Sequence, residues 1–149
     1  MAFQSIEMRK LTEKLETQTE QYLEFQNTYE TKKKELMEDL EEDNIGRLQE
    51  YDLMLFKCAW EDKKKAYHDI QVTRAEIKQR ELYEKANSLP KNSEEYYNTF
   101  IEYWEQVHTV YSLKNSEYAA NKYRPVVDHQ IMMAKQKLQK IEVTAWAAA

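Results

Sequence analysis

A single glycine and two prolines in 149 residues are the strongest constraint on this chain. Strand-rich and loop-rich folds turn at glycine and proline, because glycine takes left-handed backbone angles and proline pre-sets a turn. A chain with three such residues makes few turns and runs in long uninterrupted elements, which must be helices. The expectation is an all-α fold over residues 1–149, in one domain of ordinary size.

Four helices follow from hydrophobic periodicity and breaker positions. The first is expected over 4–45. Met8, Leu11, Leu15, Gln18, Tyr22, Phe25, Tyr29, Lys32 and Leu36 alternate steps of three and four, which holds one face along a helix. Gln18 and Lys32 interrupt that seam; a polar seam residue costs stability and fixes register. The helix is expected to fade in the acidic run Glu41 to Asp43 and stop at Gly46. A second helix, 47–87, shows one stripe at Leu48, Tyr51, Leu55 and Cys58 and another at Trp60, Tyr67, Ile70 and Ile77. Each of these two helices has roughly forty residues, about 60 Å of rise.

SLPKN then breaks the chain at Pro90, and Asn92 with Glu95 has capping-box spacing for a third helix, 93–121. Its seam is aromatic: Tyr97, Phe100, Trp104, Val107, Tyr111, Lys114 and Tyr118. Pro125 is placed in the first turn of a fourth helix, 125–145, where its missing N–H costs little. That helix carries Val127, Ile131, Ala134, Leu138 and Ile141 inward. The architecture predicted is an elongated bundle: a long N-terminal antiparallel coiled-coil hairpin and a shorter aromatic-rich hairpin.

Charge bounds the partners. Charged residues make up 33% of the chain, with both signs mixed and a net of −5, which argues against a dedicated nucleic-acid binder. No apolar run is long enough for a bilayer span. The N-terminal stretch lacks the apolar core of a secretory signal and carries too many acids for a matrix presequence. The terminal AWAAA is set aside from functional argument. Cys58 is the sole cysteine, which excludes an intramolecular disulfide and mildly favours a reducing compartment. It is expected to be a buried seam thiol.

Motifs for chemistry are sparse. One glycine rules out a P-loop and a dinucleotide fingerprint, and there is no nucleophile elbow. His68, His108 and His129 fit no metal-ligand spacing, although Met132 and Met133 lie near His129. Only Glu105–His108 matches Glu-x-x-His, whereas a di-iron bundle needs two copies. Asp39 to Asp43 lacks the glycine of a calcium loop. The expectation is no enzyme, no cofactor and no bound metal.

Two lysine runs stand out, YETKKKELMED at Tyr29 to Asp39 and WEDKKKAYHDI at Trp60 to Ile70. Acids lie beside and one turn from the bases, as in helix surface pairs. Three successive lysines point in three directions, so the simplest reading is a solvated face. Phosphate or lipid-headgroup contact and docking of an acidic partner are the alternatives. The runs lie thirty-one residues apart, not a multiple of seven, so they share no heptad register. Eleven tyrosines suit irregular packing or a surface that meets another protein, where Tyr and Trp are enriched. Trp60, Tyr67, Ile70, Tyr97, Phe100, Trp104, Tyr111 and Tyr118 are the candidate partner-binding residues; ordinary core packing is the plainer reading of Trp60 and Trp104.

The segment YDLMLFKCAWEDKKKAYHDIQVTRAEIKQRELYEK, Tyr51 to Lys85, resembles the middle of the PDSW family, accessory subunits of mitochondrial respiratory complex I. Lys63 to Lys65, Tyr67, Asp69 and Ile70 match that family's basic stretch and aromatic-x-Asp-Ile-like element. Tyr96 to Val110 would be its second helix and Tyr123-Arg124-Pro125 its end. The resemblance covers about half the chain. It departs in having Cys58 alone where the family typically carries several cysteines, and in its N-terminal coiled coil. The resemblance implies a non-catalytic subunit on the intermembrane-space face of the inner membrane. Such a subunit binds neighbouring subunits through helix faces and is peripheral to the bilayer. From the residues alone, a scaffold protein of a ciliary or virion assembly fits equally. So does a cytoplasmic coiled-coil adaptor or homodimer built on residues 4–86.

Overall fold

A computed structural model describes residues 4–41 and 50–148. It contains four helices and, among the described residues, no strand: α1 (Ile6–Glu41), α2 (Glu50–Ser88), α3 (Glu94–Lys114) and α4 (Glu117–Ala148). The all-α bundle class is therefore correct. The expected stop at Gly46, the run Glu42 to Asn44 and Leu48 lie outside the described residues. The chain divides into two compact units, residues 12–71 and residues 1–11 with 72–149.

In the unit of residues 12–71, α1 follows its predicted seam with one change. Leu15, Gln18, Tyr22, Tyr29, Lys32 and Leu36 are half-buried, but Phe25 is exposed and Gln26 takes the inward position. Both residues lie three or four steps from Tyr22 and Tyr29, so spacing alone does not choose between them. On α2 the predicted stripes hold at Leu55, Ile70 and Ile77, but at Cys58, Trp60 and Tyr67 the inward position belongs to a neighbouring residue. Ala59, Ala66 and Ile70 are buried, whereas Trp60 and Tyr67 are nearly half exposed and Cys58 is exposed. Helices that approach closely leave no room for a large side chain at the centre of contact. Alanine fits there and the rings move to the shoulder. Tyr22 meets Tyr67 at 5.8 Å between ring centroids, and Tyr29 meets Phe56 at 5.4 Å.

The other unit begins with a capped helix end. The Ser5 hydroxyl accepts from the Met8 N–H at 3.1 Å, and its carbonyl from the Arg9 N–H at 3.0 Å. Side-chain hydrogen bonding to Ser5, joined by the Arg80 pair at 3.0 Å, holds the Glu84 carboxyl below its ordinary value. After Ser88 a turn closes with the Ser93 N–H donating to the Pro90 carbonyl at 3.2 Å. Its third residue, Asn92, has φ 66, a left-handed conformation that asparagine tolerates better than most. The cap of α3 is therefore Ser93, whose hydroxyl accepts from the Tyr96 N–H, and not Asn92. Asn92 accepts from the Tyr97 hydroxyl instead.

The third helix ends earlier than the aromatic pattern suggested. Asn115 breaks it in extended conformation, and Ser116 caps α4 by accepting from the Ala119 N–H at 3.2 Å. Tyr118 thus belongs to the first turn of α4. Pro125 lies inside α4, not in its first turn. Its missing N–H frees the Asn121 carbonyl, but both residues are on the exposed face, where that carbonyl can meet water.

Within this unit α3 is held from two sides. Toward α2, the Gln106 amide donates to the Ala75 carbonyl at 3.0 Å and Lys114 meets Glu76 at 3.4 Å. Toward α4, the Arg124 guanidinium grips Glu105 with two bonds of 2.9 and 3.0 Å and reaches Asp128 at 2.7 Å. Tyr111 stacks on Tyr123 at 4.5 Å, and His108 Nε2 lies 3.3 Å from the Ala120 carbonyl. The buried centre of α3 is Thr99, Gln106 and Val110. The predicted Tyr97, Phe100, Trp104, Val107 and Tyr111 flank it, half-buried. On α4, Val127, Ile131 and Ala134 are buried and Leu138 and Ile141 half-buried, as expected.

Two measurements check this packing. Ala66→Leu should cost about 1–3 kcal/mol by urea denaturation, because the seam has no volume for it. Gln71→Leu, on the exposed side of the same helix, should change stability by less than about 0.5 kcal/mol. The Arg124 guanidinium holds the Glu105 carboxyl below its ordinary value. A lowered carboxyl stabilises the fold above its unfolded-state value, and that contribution fades as pH falls through the lowered one. Glu105→Gln should therefore cost about 0.5–1 kcal/mol at neutral pH. Its deficit against the native chain should close on acidification.

Candidate interaction surface

The lysine run of WEDKKKAYHDI resolves into three different environments. Lys63 is half-buried, with its ammonium 4.5 Å from the centroid of the Tyr29 ring. Lys64 places its ammonium 4.5 Å from the Trp60 ring on the same helix. Lys65 is exposed. The stems of the first two cover apolar surface while their charges stay over the negative ring faces. The picture of a uniformly solvated lysine face therefore fails for Lys63, while Lys64 is exposed but rests on a ring.

Trp60 and Tyr67, with Tyr22, Lys63 and Lys64, line an open groove of about 230 Å³ in the unit of residues 12–71. Its walls are aromatic and its rim is cationic. Ile70, grouped with Trp60 and Tyr67 in the sequence reading, is 3% exposed and belongs to the core. The stripe predicted there holds at Ile70 and misses by one residue at Trp60 and Tyr67: Ala59 and Ala66 face in and the rings face out.

A second groove, of about 170 Å³, lies between α3 and α4, lined by Tyr96, Tyr97, Phe100, Gln130, Met133, Ala134 and Lys137. It brings Tyr97 and Phe100 together. Trp104 sits edge-on to Phe100 at 6.1 Å and to Tyr103 at 5.7 Å. Its indole N–H is buried and has no acceptor among the described residues. Tyr111 is committed to its stack on Tyr123, and Tyr118 stands alone at 77% exposure. The eight candidates thus separate into a core residue, two groove pairs, two ring-packed residues and one isolated tyrosine.

Sequence reasoning passed over Tyr22, Tyr96 and Met133 as groove-lining residues. One signal was present. Leu53, Trp60 and Tyr67 recur at intervals of seven, a row parallel to the buried one. Among the described residues no three His, Cys, Asp or Glu side chains gather in a way that could hold a metal ion. No helix among them is long and apolar enough to cross a membrane.

The chain matches no protein-family model, and comparison with curated proteins and with solved structures gives no match.

The ring contact of Lys63 predicts unequal lysines. Lys63→Ala should lower stability by about 0.5–1 kcal/mol, while Lys65→Ala should stay within about 0.5 kcal/mol of the native chain. Equal losses in urea unfolding would remove the distinction.

Proposed function

We propose that this protein is a non-catalytic structural subunit of a larger protein assembly, which binds neighbouring subunits through its helix flanks. The observation that supports this reading is the open groove with Trp60 and Tyr67 in its walls and Lys63 and Lys64 on its rim. Large rings left nearly half exposed beside a closed seam are unfavourable in water and favourable under a partner. The second groove, at Tyr97 and Phe100, has the same character.

The specific version of the proposal is a PDSW-like accessory subunit of mitochondrial complex I, peripheral on the intermembrane-space face. The Tyr51–Lys85 resemblance carries that version. Native-gel fractionation of detergent-solubilised source cells, with mass spectrometry of each band, tests both levels. Co-migration with a large complex is the expected result, and NADH-oxidising activity in that band is expected for the specific version. A sharp peak at the mass of the free chain, or at twice it, would overturn the subunit reading and leave a self-contained adaptor or homodimer.

A further inference from the structure

On α2 the exposed row beside the buried seam is itself a heptad. Leu53, Lys57, Trp60, Lys64, Tyr67 and Gln71 follow at steps of four and three, and all six are exposed. The three apolar members, seven apart, are 50%, 44% and 46% exposed. Between them stand two lysines, and Gln71 follows the last. The row contains no carboxylate, in a chain whose net charge is −5. Among the described residues, neither Lys57 nor Lys64 has a carboxylate within salt-bridge distance; Lys64 rests on Trp60 instead.

Resting on the reading of this flank as a docking surface, we infer that the row binds an acidic amphipathic helix of another protein. That helix seats apolar residues between Leu53, Trp60 and Tyr67 and turns its carboxylates to Lys57 and Lys64. The period selects a helix. Seven residues of α2 rise about 10.5 Å, the interval at which a second helix repeats its own seam. An extended strand repeats one face about every 6.8 Å and slips out of phase after one contact. Tyr22 of α1 closes the far side of the groove, so the incoming helix meets two walls, as in helix-in-groove recognition. The lysines select charge. Lys57 is exposed and Lys64 is exposed with its ammonium over the Trp60 ring, so a glutamate on the incoming helix can accept from both.

The test uses the full chain and two synthetic helical peptides about three heptads long. Both carry leucine at every seventh position, flanked by glutamates in one and by lysines in the other. Fluorescence anisotropy of labelled peptide should show the acidic one bound and the basic one not. Trp60→Ala should weaken the acidic peptide at least about tenfold. Lys57→Glu with Lys64→Glu should abolish its binding and confer binding of the basic peptide. That reciprocal gain cannot come from unfolding. Failure of both peptides to bind, or binding blind to their charge, overturns the inference. Self-association of the chain alone, lost in the double charge reversal, overturns it in favour of a second copy as occupant. If the chain and the double variant both co-migrate with a large assembly, this surface is wrong while the subunit reading stands.

Discussion

The packing rests on one steric constraint: two helices that approach closely must put small side chains where their surfaces meet. Ala59 and Ala66 on α2, Thr99 on α3, and Ala120 and Ala134 on α4 occupy such positions and are buried. The chain is rich in rings, and rings do not fit there. They are displaced one position around the helix, where they shoulder the seam and pack on each other. Tyr22 against Tyr67, Tyr83 against Tyr103 and Tyr111 against Tyr123 are all contacts of this kind. The core is therefore narrow, and much of the apolar surface lies at its margin.

Polar groups inside this narrow core make it specific and also strain it. Gln106 is satisfied by the Ala75 carbonyl. The Thr73 hydroxyl, the Trp104 indole N–H and one Gln18 amide oxygen are buried with no partner among the described residues. Each such group costs on the order of 1–3 kcal/mol of desolvation. The surface ion pair contributes differently: the Arg124 fork on Glu105 is partly solvated, so it orients α3 and α4 more than it stabilises them. A fold with thin apolar cover and aromatic shoulders gains from a partner that buries those shoulders. That is the physical link between the packing and the proposed role.

The lysine runs illustrate how local reading misleads. Mixed charge at helical spacing suggested pairing along the surface, and the first run does pair, Lys32 with Glu35 and Lys34 with Glu38. The second run has the same three lysines, yet Lys63 and Lys64 lie on rings. The difference is the neighbour. Trp60 stands one turn before Lys64, and Tyr29 is brought to Lys63 from another helix, a contact without any sequence signature.

The sequence by itself determined the helical class, the break at Pro90, and the seams of α1 and α4. These follow from glycine and proline scarcity and from spacing, which are local properties of the backbone. It could not place the boundary at Asn115, because a Ser-cap at Ser116 competes with the proline signal at Pro125, and only the fit of Ala120 under α3 decides between them. Nor could it set the phase of α2 and α3. A residue and its neighbour differ by 100° around the helix, and hydrophobicity favours the ring over the alanine. Steric volume at the contact, which exists only once two helices meet, favours the alanine. Tertiary structure alone therefore decided that Ala59 and Ala66 face in, and that Trp60 and Tyr67 remain at the surface.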